Sequence, residues 1–146
     1  MTDRDTLLAL AERVEGLPAE WCVDYRSAGK EIHRSIFGAP EVAEHSGYGW
    51  REDDSGWWML TGEDGRIPPQ RIDPAKWLTS IDTAMTLLPE KWKLRGMQFS
   101  APCADDRKWH LNLHGGREGQ DRFVGRGATP ALAMTAAALR ARAGGL

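Results

Sequence analysis

The sequence predicts an α+β fold in which an antiparallel β-sheet packs with helices as an α/β/α sandwich, closing in a C-terminal α-β-β-β-α unit. Three observations carry that prediction. Two segments within residues 1–46 repeat apolar side chains every three or four positions, the helical period. From 47 to 69, and again from 91 to 126, the period drops to two, as strands require. A capped, alanine-rich helix then runs from Thr129 to Gly145. With 146 residues, 41% of them hydrophobic, the chain can bury one core, so one domain is expected. Its parts are two N-terminal helices (1–46), a Trp-rich hairpin with a Pro-rich connector (47–76), and the α-β-β-β-α unit (77–146).

Thr2 with Asp5 has the capping-box spacing, and Leu7, Leu8, Ala11 and Val14 carry a short amphipathic helix to Gly16. After "LPAE", the positions Trp21, Tyr25, Ala28, Ile32 and Ile36 recur at helical spacing until "GAP", which predicts a second helix over about 22–37. Gly29 within it costs about 1 kcal/mol relative to alanine. "YGWRE", "WWMLT" and "RIPP", separated by "DDSG" and "GEDG", read as two strands and a third short extended piece. "PPQRIDP" is a stiff connector, because proline fixes φ and keeps the preceding residue out of the helical region.

Thr79 or Ser80 caps the next helix, whose stripe is Ile81, Ala84, Met85 and Leu88 and which Pro89 ends. "KWKLRGMQF", "RKWHLNLH" and "DRFVGR" follow as strands. In the second, Trp109, Leu111 and Leu113 alternate with His110, Asn112 and His114, giving one apolar and one polar face. Thr129 as N-cap and Pro130 at the first position open the last helix. Ala133, Ala136, Ala137 and Ala141 let its backbone approach the sheet, Leu132 and Leu139 fill its edges, and Gly125 and Gly127 allow the tight strand-to-helix passage.

Net charge is only −2, which argues against general disorder and against a strongly basic nucleic-acid binder. The charge is unevenly divided: residues 1–76 hold 9 Lys/Arg against 15 Asp/Glu, and 77–146 hold 10 against 6. Cys22 and Cys103 lack a C-x-x-C partner and read as small hydrophobes in a reducing compartment, with a single disulfide between them as the alternative. With no signal-like N-terminus and no apolar run near the roughly 18 residues of a membrane span, the expected place is the cytoplasm.

Gly125, Gly127, Thr129, Ala133, Ala136 and Ala137 in "GRGATPALAMTAAALRA" resemble the C-terminal half of a double-stranded RNA-binding domain. Where that family places groove-spanning lysines, this chain has Pro130 and Ala131. A longer resemblance joins "LLALAERVEGL", "WLTSIDTAMTLLPEKWKLR" and "GATPALAMTAAALRARAG". Together these blocks resemble the phage ABA-sandwich domain family of small phage and prophage proteins, and they span most of the chain except about 38–76. The resemblance implies an α/β sandwich encoded by a bacteriophage and working in the host cytoplasm. That family has no established chemistry to carry over.

His110 and His114 stand four apart on a strand, roughly 13 Å, too far for one metal ion; they read as a polar sheet face. Asp53–Asp54 and Asp105–Asp106 read as turn residues. The chain lacks a G-x-S-x-G elbow, Walker loop, H-E-x-x-H or dinucleotide fingerprint, so neither enzyme chemistry nor a cofactor or metal is expected. Of seven tryptophans, Trp92 and Trp109 fit the core. Trp57 and Trp58 point to opposite faces of their strand, so a single core cannot hold both.

The leading expectation is therefore a non-enzymatic phage protein that binds a host protein, such as an immune component, in the manner of an anti-CRISPR inhibitor. Its surface would comprise Trp50, Arg51, Asp53, Asp54, Trp57, Trp58 and Arg66. A second expectation is sequestration of a nucleotide messenger between indoles and arginines by an oligomer. A third is nucleic-acid binding on the sheet through Lys93, Arg95, Lys108, Arg122 and Arg126.

Overall fold

The structure is a computed structural model that describes residues 3–38, 49–53, 56–60, 71–89, 92, 94–101, 108–116 and 121–145. Its elements are α1 (Arg4–Glu15), α2 (Val23–Phe37), β1 (Gly49–Asp53), β2 (Gly56–Leu60), β3 (Arg71–Ile72), α3 (Lys76–Thr79), α4 (Ile81–Met85), β4 (Leu94–Ser100), β5 (Trp109–Gly115), β6 (Asp121–Gly127) and α5 (Pro130–Gly144). The class is α+β. Two antiparallel sheets, β1-β2-β3 and β4-β5-β6, accompany the helices. For β1 to β3, and for Leu94 and Arg95, the description is of backbone pairing.

The alanine run of α5 explains the centre of the molecule. Every residue from Ala131 to Leu139 is buried, as a helix apolar on all sides requires. It lies against β5 and β6 and also contacts α1, α3 and α4. The approach to the sheet is close: a Cβ added at Gly125 would stand 2.0 Å from the Ala133 carbonyl oxygen, and one at Gly127 would stand 2.6 Å from the Ala133 nitrogen. Leu132 and Leu139 are fully buried rather than marginal, because neighbouring helices cover the side of α5 turned from the sheet. Thr135 Oγ1 donates to the Trp77 carbonyl at 2.6 Å, tying α5 to α3. Thr129 Oγ1 accepts the Leu132 N–H at 3.2 Å, the expected N-cap.

Three local expectations change. The cap of α1 is Asp3, whose Oδ1 accepts the Thr6 N–H at 2.7 Å; this bond holds its carboxyl below the usual carboxylate range, and Thr2 lies outside the described residues. The third strand of the first sheet is Arg71–Ile72, inside the stretch read as connector. A short turn of helix, α3, precedes the Ser80 cap of α4. Gly29 also gains a reason: a Cβ there would sit 1.8 Å from the Pro74 carbonyl oxygen, so α2 needs a bare backbone where the Pro74 segment crosses it.

Trp109 is half-buried and so is Trp92, which packs on Phe123 at 6.5 Å. Among the described residues, the fully enclosed indole is Trp77.

Candidate functional site

β6 is an edge strand, and its outward backbone groups need partners. Alternate residues of an edge strand turn their N–H and C=O outward, here Val124 and Arg126. Arg126 N–H donates to Glu15 Oε2 at 2.8 Å, and the Val124 carbonyl accepts from Arg140 Nη1 at 2.7 Å. Arg140 in turn clasps Glu15 with both nitrogens, at 2.6 and 2.7 Å. The ion pair of α1 and α5 thus plugs the sheet edge. Glu15 raises the Arg140 pKa above its ordinary value, chiefly through this hydrogen bond. A cavity of about 420 Å³ opens beside the plug, lined by Glu15, Arg122, Phe123, Val124, Arg126 and Arg140.

The register of the second sheet sorts its faces. Three cross-strand rows share the face turned from α5: Gly96–His114–Arg122, Gln98–Asn112–Val124 and Ser100–His110–Arg126. No carboxylate stands in these rows. Gln98, Ser100, Arg122 and Arg126 are exposed; His110, Asn112 and His114 are half-buried. The Arg122 guanidinium donates to Asn112 Oδ1 through Nη2 at 2.6 Å and through Nε at 3.3 Å.

Of the predicted nucleic-acid set, the structure brings Arg122 and Arg126 onto this face. Lys108 is turned to another use: its Nζ donates to the Glu15 carbonyl at 2.8 Å, at the C-terminal end of α1, where a cation is favoured. Arg95 stands at a register irregularity between Leu94 and Gly96, described by backbone alone. Lys93 lies outside the described residues.

Of the predicted protein-binding set, β1 and β2 carry Trp50, Arg51, Asp53, Trp57 and Trp58. The register forms the rows Arg51–Trp58–Arg71 and Glu52–Trp57–Ile72. Arg71 joins the set only because of this pairing, since the sequence reading placed it in a connector. Asp54 and Arg66 lie outside the described residues.

Two aromatic clusters escaped the sequence reading. Trp21, read from its spacing as the first member of the α2 stripe, instead precedes α2 and is 51% exposed with the Arg26 guanidinium 4.7 Å from its ring. It lines a cavity of about 360 Å³ with Tyr25, Ile81, Thr129 and Pro130. At the other end of α2, the exposed Phe37 stacks on Trp77 at 5.9 Å. His33 lies 5.8 Å from Trp77. Burial pushes the His33 imidazole below its ordinary pKa; a backbone hydrogen bond with Gly38 opposes this, and Lys76 and Arg34 add to it.

Among the described residues, no three His, Cys, Asp or Glu side chains gather as a metal site, and no helix is long and apolar enough to cross a membrane. No family model, curated protein or solved structure matches the chain.

Proposed function

We propose that this chain is a non-enzymatic bacteriophage accessory protein that docks on a host protein, a component of host immunity, and blocks it. The docking element is the β1–β2–β3 ribbon. The supporting observation is the row Arg51–Trp58–Arg71, an indole position between two guanidinium positions, beside the row Glu52–Trp57–Ile72. Tryptophan and arginine are the residues that dominate protein-binding hot spots. The phage origin rests on the three sequence blocks that resemble phage ABA-sandwich proteins, an associational argument.

The test is affinity capture from host lysate with quantified stoichiometry. Wild type retains one host protein stoichiometrically, and Arg51→Glu/Arg71→Glu and Trp57→Ala/Trp58→Ala release it. Identical background from wild type and both variants ends the proposal. The same row favours a second reading, a nucleotide with its base on the indole and its phosphates on the guanidinium groups. A nucleotide that raises the melting temperature of wild type, but not of Arg51→Glu/Arg71→Glu, would select that reading.

A further inference from the structure

We propose that the open face of the β4–β5–β6 sheet binds single-stranded nucleic acid, with Arg122 and Arg126 on phosphates and His110 and His114 as stacking platforms. The site lies on a different sheet from the ribbon and does not depend on it.

Two of the three rows repeat one unit: a small residue on β4, an imidazole on β5, and a guanidinium on β6. At Gly96 an added Cβ would meet nothing within 4 Å, which leaves room beside His114 for a planar base, and imidazole and guanidinium planes both accept stacked bases. The charge is complementary to a phosphate chain, because both arginines are exposed and no acidic residue occupies the rows. Glu15, which reaches the Arg126 backbone, does not cancel it. Glu15 spends its side-chain oxygens on the Arg140 guanidinium and the Arg126 backbone N–H. The Arg126 guanidinium has no ion-pair partner among the described residues.

Stacking selects a single strand. The two units are four residues apart along each strand, about 13 Å, and a base laid on an imidazole has to leave the base stack of a duplex. A chain that engages both must have splayed bases. Arg122 is already oriented by its two bonds to Asn112, which reduces the ordering that binding requires.

The experiment is fluorescence anisotropy of the whole chain with labelled single-stranded RNA of about ten nucleotides, a length within the range one small module covers. Wild type binds with a log–log salt slope near −1.4, about −0.7 for each of two phosphates. Arg122→Ala/Arg126→Ala weakens binding at least about tenfold and flattens the slope, whereas Arg122→Lys/Arg126→Lys keeps the slope. His110→Ala/His114→Ala weakens binding about fivefold or more with the slope retained. Circular dichroism melts matching wild type certify the fold of each variant. No binding at about 50 mM salt overturns the inference. So does equal binding of a duplex or a polyglutamate peptide, and so does binding lost in Trp57→Ala/Trp58→Ala but kept in Arg122→Ala/Arg126→Ala.

Discussion

On the face of the second sheet turned to α5, Leu111, Leu113, Gly125 and Gly127 are buried; on the opposite face, Gln98, Ser100, Arg122 and Arg126 are exposed. Both faces belong to the same three strands, so the difference is one of side-chain parity alone. On the helix-facing side Gly125 and Gly127 meet the α5 backbone within van der Waals reach, and toward the β4 edge Met97 is exposed. The open side is constrained by little except pairing between strands. Stability and recognition are thereby assigned to alternate residues, and the two can be altered separately.

The largest expected effect tests the constrained face. Gly125→Ala drives a methyl group into the Ala133 carbonyl and the Ala137 nitrogen, at 2.0 and 2.7 Å. These are backbone atoms of a buried helix and cannot step aside. The variant loses about 3 kcal/mol or more, read as a fall in the urea midpoint; a midpoint equal to wild type would show that α5 is not seated as described.

Next comes the sheet edge. Glu15→Ala leaves the Arg140 guanidinium, only 25% exposed, without its carboxylate and leaves Arg126 N–H without an acceptor. We expect a loss of about 2 kcal/mol, less than for a fully buried pair. Arg140→Ala should then cost less in the Glu15→Ala background than in wild type, the bond to the Val124 carbonyl being all that is left to lose. Additive losses would deny the coupling. Removing the cap of α5 with Thr129→Ala costs about 1 kcal/mol by the same measurement.

A smaller effect depends on pH. His33 in the folded chain binds its proton only below the ordinary histidine range, so the unfolded chain holds more protons as pH falls through that range. Stability contributed by the neutral imidazole is complete above the ordinary value and is lost progressively on acidification toward the depressed folded value. The melting temperature of wild type should drop across this window more than that of His33→Leu, and parallel curves would refute the assignment. The smallest effect belongs to the open face: Arg122→Ala/Arg126→Ala changes stability by no more than about 0.5 kcal/mol. A large loss there would erase the contrast between the faces.

What the sequence made legible was periodic. Alternation in "RKWHLNLH" separated Leu111 and Leu113 from His110, Asn112 and His114, and Thr129–Pro130 marked the start of α5 to the residue. Contacts between distant segments left no such trace. Glu15 and Arg140 stand 125 positions apart, and nothing in "AERVEG" or "ALRARA" marks one as the other's partner. Gly29 read as a flaw in a helix because its justification is the Pro74 backbone, 45 residues on. The alanines of α5 suggested one close face, whereas burial all round follows from α1, α3 and α4, which no local pattern reports. Arg71 was hidden because three prolines nearby, Pro68, Pro69 and Pro74, argued for a connector, while the pairing of β3 with β2 is a tertiary event.

The plug at β6 links the fate of the first helix to the solubility of the whole. While Glu15 holds its place, the Arg126 N–H and the Val124 carbonyl of this edge strand are both occupied. Lifting α1 away removes the acceptor for the Arg126 N–H and takes the carboxylate from Arg140 in a single motion. Fraying of α1 therefore bares a backbone donor on the β6 edge, the kind of group on which a foreign strand pairs.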